Sequence, residues 1–205
     1  MEKLIDKKTV DFVNAVASDA PAPGGGSVAA LSSALGAGLL CMAIRISVKK
    51  QPDASLSELL PELENEKNRL MQLVDDDTLA FNGVMAAFAL PKNSDEEKKK
   101  RTDAVQAAFT HAASVPLETM QCSLRVLQAG RIVAEKCGAN VASDAGTGVQ
   151  MAYAGLQGAA YNVRINLSAI KDAAFTARLG QHVVDASAAA ESEKSYATVA
   201  VLSRF

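Results

Sequence analysis

The segment from Val28 to Ile44 contains no charged side chain over seventeen residues, and it stops at Arg45. It is rich in Ala, Gly and Ser, including Ser32 and Ser33, whereas a membrane span needs about 20 strongly apolar residues. We therefore predict a helix buried inside a bundle, with no membrane contact. A helix without a polar side has to be covered on all sides, so this segment requires several partner helices.

The rest of the chain also favours helices. Period-two runs of Val, Ile, Thr and aromatic residues are missing, while Ala, Leu, Glu, Lys and Met dominate. The pattern predicts an all-α, single-domain bundle of six or so long helices over residues 1–205. The predicted helices cover residues 9–17, 28–48, 55–90, 95–114, 116–138, 143–167 and 172–192. Their predicted N-caps include Ser27, Ser55 and either Asn140 or Ser143. Ser94 and Glu97 are predicted to form a capping box, and Pro116 is predicted to begin or kink a helix.

Composition excludes several classes of protein. A net charge of -2, a pI near 5.7, 4% aromatic residues and no Trp argue against nucleic-acid binding. The N-terminus is charged and amphipathic, unlike a signal peptide. Cys41, Cys122 and Cys137 include no close pair, and the two histidines have no neighbour at ligand spacing. We therefore predict a cytoplasmic protein that holds neither a metal ion nor a cofactor.

Two of the predicted helices, at residues 28–48 and 149–168, carry small or apolar residues nearly all round. Six helices in 205 residues cover two such central helices only partly. We therefore predict a homodimer in which the Gly- and Ala-rich faces pack closely across a two-fold axis.

Asp77 is the most informative single residue. The apolar residues around it fall within one stripe at 100° per residue, with Asp77 in its middle: Leu70, Leu73, Val74, Phe81, Val84, Met85 and Phe88. Asp76 flanks the stripe and is a second catalytic candidate, whereas Asp75 is expected to point to solvent. A desolvated carboxyl group can exchange a proton near neutral pH. The alternative is a structural Asp that bonds a helix terminus or a buried Arg such as Arg164.

The loop Pro21–Ser27 supplies a candidate binding site. Its glycines, Gly24, Gly25 and Gly26, permit close backbone approach, and with Ser27 they precede a helix whose free N–H groups suit an anion or a planar polar ring.

Four further polar residues complete the predicted binding set. Asn162 and Asn166 share one face of a helix that is otherwise built of Ala, Gly and Leu. They either read a heterocycle or tie helices together. Asn140 and Asp144 precede that helix, and Lys92 lies in a loop where it could meet an anion.

Three blocks of sequence carry a resemblance to a known family. PAPGGGSVAAL (21–31), DDDTLAFNGVMAAFALPKNSDEEK (75–98) and NVASDAGTGVQMAYAGLQGAAYNVRINL (140–167) resemble the cyclodeaminase/cyclohydrolase family. That family includes the cyclodeaminase domain of formiminotransferase-cyclodeaminase and stand-alone bacterial methenyltetrahydrofolate cyclohydrolases. The resemblance implies an all-helical dimer, folate bound near the glycine loop, and a catalytic acid within the segment matching 75–77. Helical phase selects Asp77 among the three.

The resemblance yields one leading hypothesis and two alternatives. The first is hydrolysis of 5,10-methenyltetrahydrofolate to 10-formyltetrahydrofolate, with this tetrahydrofolate derivative as substrate and no separate cofactor. The second is formiminotetrahydrofolate cyclodeaminase activity at the same site. The third is a non-catalytic helical dimer that only binds folate or a partner. We favour the cyclohydrolase because the sequence carries no formiminotransferase domain and its blocks look more like the bacterial enzymes.

Overall fold

The structure, a computed structural model, describes residues 3–205 and is all-helical, with no strand in that range. Two short 3-10 helices span Leu4–Asp6 and Ala139–Val141. The α-helices are α1 Thr9–Val16, α2 Gly25–Lys50, α3 Ala54–Phe88, α4 Asp95–Lys136, α5 Ala142–Leu167 and α6 Ala173–Leu202. The predicted all-α class is confirmed.

Helices α2 and α5 pair in the middle of the bundle, with α3, α4 and α6 around them. They run antiparallel, because Gly36 of α2 meets Gly148 and Ser33 meets Gly155 further along α5. A Cβ on Gly155 would overlap Ser33 Oγ and lie 2.5 Å from the Ala29 carbonyl oxygen. The small residues therefore let two backbones approach within one protomer. The predicted packing of Gly- and Ala-rich faces across a two-fold axis stays a prediction.

Helix α2 is long and apolar enough to cross a membrane, with a mean hydropathy of 1.9 in its most apolar stretch. However, 61% of that stretch is buried, against α3, α4 and α5. It is thus placed as a core helix of the bundle, as predicted. Its outer face, which includes Val28 and Leu35, stays exposed.

Helix α4 runs without a break through Pro116, where the sequence predicted two helices. Proline has no N–H, so the carbonyl oxygen of Ala112, four residues earlier, lacks its helical donor. The side-chain amide of Asn166 donates to that oxygen at 2.9 Å. This bond from α5 compensates the proline, which is itself buried in the core.

The helix caps follow the sequence in part. Ser94 and Glu97 form the predicted capping box. Asp53, not Ser55, caps α3 by accepting from the Leu56 N–H at 3.0 Å, and no side chain caps α5, which rules out Asn140 and Ser143 in that role. Helix α6 begins after Asp172 as predicted but continues to Leu202, because Ala197 and Val201 remain buried in the bundle.

Candidate active site

Asp77 lies on α3 with its carboxyl group at the N-terminus of α2. Its Oδ2 atom accepts from the Ser27 N–H at 2.9 Å and from the Ser27 hydroxyl at 3.2 Å. No hydrogen bond from residues 3–205 reaches Oδ1. One carboxylate oxygen is therefore held by the protein, and the other is available to a ligand.

The start of α2 explains this contact. The helix begins at Gly25, so Ser27 lies inside the first turn and is not the N-cap that the sequence predicted. The N–H groups of a first turn have no helical acceptor, and Gly24, the observed N-cap, offers no side chain. The carboxylate of Asp77 takes that role from another helix, where the positive end of the helix dipole also favours it.

Gly26 makes the approach possible. A Cβ at this position would overlap Oδ1 and the carboxyl carbon of Asp77 and lie 2.7 Å from its Oδ2 atom. No glycine in residues 3–205 has a positive φ angle, so the loop glycines are not required for a left-handed turn. At Gly26 the requirement is close packing against the carboxylate.

Burial raises the pKa of Asp77 above the usual aspartate value, while the hydroxyl and N–H of Ser27 act in the opposite direction. The structural alternative that paired Asp77 with Arg164 is wrong, because Arg164 is exposed and makes no contact with it. The other structural alternative was a bond to a helix terminus. The start of α2 supplies such a bond to Oδ2 of Asp77 but none to its Oδ1 atom.

A pocket of about 390 Å³ opens over this carboxyl group. Its walls come from the glycine loop, α3, α4 and α5, and Asp77 is the only ionisable side chain among them. The lining residues are Pro21, Ala22, Gly24, Gly25, Asp77, Ala80, Phe81, Val84, Met85, Phe88, Phe109, Ala112, Asn162, Ile165 and Asn166.

Asn162 and Asn166 both line this pocket, on the helix face that the sequence predicted them to share. Both are also tied to the scaffold. The Asn162 amide nitrogen donates to the Gly158 carbonyl at 2.9 Å, and that of Asn166 donates to the carbonyls of Ala112 and Asn162. Their Oδ1 atoms accept no hydrogen bond from residues 3–205 and remain available as acceptors.

An aromatic wall closes the pocket on the side of α3 and α4. Phe88 and Phe109 meet edge to face with ring centroids 5.9 Å apart. Arg101 stacks on Phe88 at 5.5 Å, and its Nε donates to the Phe88 carbonyl at 3.0 Å, which holds the end of α3. The apolar stripe of α3 is therefore divided, since Leu70, Leu73 and Val74 enter the core, whereas its later members line the pocket.

Sequence reasoning missed four lining residues, namely Ala80, Phe109, Ala112 and Ile165, whereas Pro21 and Ala22 lie in the loop that it singled out. For Phe81, Met85 and Phe88 a signal existed, because they share the face of Asp77. Phe109 gave none, since only the packing of α4 against α3 brings it there.

Asp76 does not line this pocket, so the structure does not bring the two predicted catalytic carboxylates together there. Its carboxylate accepts from Arg69 at 2.9 Å, and Arg69 also binds Glu118. Asp76 lines a separate cavity of about 820 Å³ on another side of α3. Asp75 lines that cavity too and accepts from the Leu4 N–H at 2.6 Å, so it does not point freely into solvent as predicted.

Three residues predicted to bind substrate also lie outside the pocket. Lys92 is exposed in the loop between α3 and α4. Asn140 and Asp144 lie at the N-terminal end of α5. Because an α-helix rises 1.5 Å per residue, Asp144 is about 27 Å from Asn162 along the helix axis. Asn140 and Asp144 were predicted near the site because they precede Asn162 and Asn166 in the sequence, but they lie at the opposite end of α5 from these asparagines.

Comparisons with known proteins agree with this architecture. A family model described as formiminotransferase-cyclodeaminase matches residues 8–185. A methenyltetrahydrofolate cyclohydrolase from Methylorubrum extorquens is 40% identical over 92% of this chain and 93% of that protein. The formimidoyltransferase-cyclodeaminase of Gallus gallus is 35% identical over 88% of this chain, which spans 34% of that enzyme. The crystal structure of formiminotetrahydrofolate cyclodeaminase from Thermotoga maritima matches with a TM-score of 0.87 and 25% identity over 98% of both chains. The chain belongs to the formiminotransferase-cyclodeaminase family.

Proposed function

We propose that this protein is a methenyltetrahydrofolate cyclohydrolase, which converts 5,10-methenyltetrahydrofolate and water to 10-formyltetrahydrofolate. The observation that carries the proposal is one half-buried carboxylate without a counter-charge, at the base of a pocket with apolar walls. The 40% identity to a cyclohydrolase over nearly the full length of both proteins supports the same reaction. The proposed site consists of protein groups and the folate substrate.

The charge of the substrate fits this pocket. The methenyl bridge is a cation delocalised over the carbon and its two nitrogens, and an uncompensated carboxylate attracts it more strongly in a poorly hydrated pocket than in water. The aromatic wall offers flat apolar surface to the pterin and aminobenzoyl rings. The free Oδ1 atoms of Asn162 and Asn166 suit the N–H donors of a pterin. A volume of about 390 Å³ lies in the range of small-molecule sites.

The proposed chemistry needs one proton-transferring group. Ionised Asp77 accepts a proton through Oδ1 from a water molecule as its oxygen bonds to the bridging carbon, which gives a neutral tetrahedral intermediate. Asp77 then donates this proton to N5 as the C–N5 bond breaks. The intermediate's hydroxyl loses its own proton to solvent and becomes the formyl carbonyl group. The balance is one water consumed and one proton released.

The second candidate is formiminotetrahydrofolate cyclodeaminase, which the solved relative and the longer formimidoyltransferase-cyclodeaminases favour. There N10 attacks the formimino carbon, and Asp77 protonates the nitrogen that leaves as ammonia. The same pocket can serve both reactions, because each needs one acid–base beside a cationic amidine. Identity over the full length of a cyclohydrolase leads us to place hydrolysis first.

Purified protein assayed with both folates distinguishes these candidates. The absorbance of the methenyl form reports its hydrolysis as a decrease and its formation from the formimino compound as an increase. We expect hydrolysis to be the faster enzymatic reaction. Faster formation would reverse the order, and tight folate binding without conversion of either compound would leave a non-catalytic binding protein.

We also propose that the protein is a homodimer, with a second copy covering the outer face of α2. This face carries Val28 and Leu35, which are 40% and 53% exposed, and no charged residue precedes Arg45 on the helix. An apolar face without charge is self-complementary, as a two-fold interface requires. The three buried, unpaired cysteines fit the cytoplasm as the proposed compartment.

The oligomeric state can be measured by light scattering after size exclusion. We expect a dimer for the unmodified protein and a monomer for Leu35→Glu, because a charge at the centre of this face would be desolvated on association. Val184→Glu is a matched control, since Val184 is 55% exposed on α6 and outside the proposed interface. A monomeric unmodified protein, or a Leu35→Glu variant that remains dimeric, would contradict the proposed interface.

A further inference from the structure

Ser27 contacts the carboxyl group of Asp77 on the side away from the pocket. Its side chain is fully buried and is not part of the pocket lining, so it cannot touch a bound substrate. Its hydroxyl has one proton and two oxygen acceptors on α3, the Val74 carbonyl at 2.8 Å and Asp77 Oδ2 at 3.2 Å. The Thr78 hydroxyl lies 3.4 Å away and can act as either donor or acceptor towards it. The predicted role of Ser27 in substrate binding is therefore not the one that its position allows.

We propose that Ser27 is a positioning residue that keeps Oδ2 of Asp77 as the accepting oxygen, so that the transferable proton resides on Oδ1. In this arrangement the hydroxyl follows the charge of Asp77. It donates to Oδ2 when the carboxylate is ionised and to the Val74 carbonyl when the carboxyl group is protonated. The inference rests on the proposed role of Asp77 as the acid–base group.

Two physical reasons support this assignment. An oxygen that accepts an N–H and an O–H is the less basic of the two carboxylate oxygens, because both donors stabilise its charge. The proton therefore binds Oδ1, which has no donor among residues 3–205. Since the hydroxyl can turn between two acceptors, both protonation states of Asp77 retain a satisfied Ser27, which lowers the cost of each proton transfer.

Within residues 3–205, Ser27 is the only residue that hydrogen-bonds Asp77, and the Thr78 hydroxyl reaches the Ser27 hydroxyl but not the carboxyl group. The α2 residues that face it are glycines, the α4 residues are Phe109 and Ala112, and the α5 residues are the neutral Asn162 and Asn166. On α3 itself, the carboxylates of Asp75 and Asp76 are engaged with the Leu4 N–H and with Arg69 on other sides of the helix. Within residues 3–205, the hydroxyl of Ser27 is the donor whose removal changes the proton affinity of Asp77 without adding a charge.

The test compares Ser27→Ala with Ser33→Ala. Both serines are fully buried on α2, but the Ser33 hydroxyl bonds Ser123 at 2.6 Å, away from the pocket. Loss of a donor to the ionised carboxylate favours the protonated form. The ascending limb of kcat/KM against pH should therefore move to higher pH by about one unit in Ser27→Ala and stay in place in Ser33→Ala. Circular dichroism melts show whether both variants fold.

A second measurement does not depend on turnover. In protein labelled with ¹³C at the aspartate carboxyl carbons, the Asp77 resonance is identified by its absence in Asp77→Asn. Its titration midpoint should rise in Ser27→Ala and, to a smaller extent, in Ser27→Cys, which keeps a side chain of similar size with a weaker donor. The cysteine variant decides the question if the alanine variant does not fold.

Each outcome bears on one proposal. An unchanged or lowered midpoint in the Ser27 variants would overturn the inference and leave Ser27 as a packing residue, whatever the enzyme's substrate. A raised midpoint would support it, even if the unmodified protein converted neither folate. Failure to convert either folate would then count against the proposed function alone.

Discussion

Asp77→Asn is expected to lower turnover of 5,10-methenyltetrahydrofolate by about 10²–10⁴-fold, the usual contribution of a positioned acid–base. The amide keeps the size of the side chain and can still accept from Ser27, so the pocket should keep its shape. It cannot accept or return a proton at Oδ1. Because the pocket holds no second ionisable side chain, no neighbour can replace it.

The same substitution is expected to raise the melting temperature at neutral pH. Burial raises the pKa of Asp77 in the folded state, so the ionised carboxylate destabilises the fold at pH values above its pKa in the unfolded chain. Below that pKa the group is neutral in both states and the effect disappears. The gain should therefore be present at pH 7 and shrink as the pH falls towards 4. Each 1 kcal/mol corresponds to about 2–4 °C for a chain of this size.

Asp76→Asn is the matched control for these measurements. It removes a carboxylate from the adjacent residue, which binds Arg69 outside the pocket, and turnover should stay within about tenfold of the unmodified protein. Near-normal turnover in Asp77→Asn would show that another group transfers the proton. Loss of turnover in Asp76→Asn alone would assign the catalytic role to Asp76, the second candidate from the sequence.

Gly155→Ala is expected to destabilise the protein by about 3 kcal/mol or more, at the upper end of the cost of overpacking a core. The added Cβ would overlap Ser33 Oγ and lie 2.5 Å from the Ala29 carbonyl oxygen, and the backbone of α2 cannot yield as a flexible side chain can. The melting temperature should fall by about 6–12 °C. Activity should decline as well, because α5 carries Asn162 and Asn166 towards the pocket.

Gly180→Ala gives the opposite expectation at another helical position. A Cβ on Gly180 of α6 would have no neighbour within 4 Å, so the change should stabilise the helix by about 0.5–1 kcal/mol. Thermal unfolding of the two variants thus compares the same substitution at and away from the α2–α5 contact. A Gly155→Ala variant as stable as the unmodified protein would mean that the two helices do not pack this closely.

Local sequence rules predicted the elements that depend on neighbouring residues. The capping box of Ser94 and Glu97 was correct, because a cap acts within one helical turn. The phase of Asp77 within its apolar stripe was also correct, since helical periodicity fixes which residues share a face. The start of α2 was wrong, because the acceptor for the Ser27 N–H comes from another helix, fifty residues later in the chain.

The sequence by itself determined that this chain is all-helical and that Asp77 shares a face with Phe81 and Phe88. Only the tertiary structure decided that this face is partly core and partly pocket, that the small residues of α2 and α5 pack within one protomer, and that Pro116 is tolerated because Asn166 supplies the missing donor. The physical reason is the range of each interaction. Periodicity and capping act over a few residues, whereas desolvation of a carboxylate and close approach of two backbones depend on helices that are far apart in sequence.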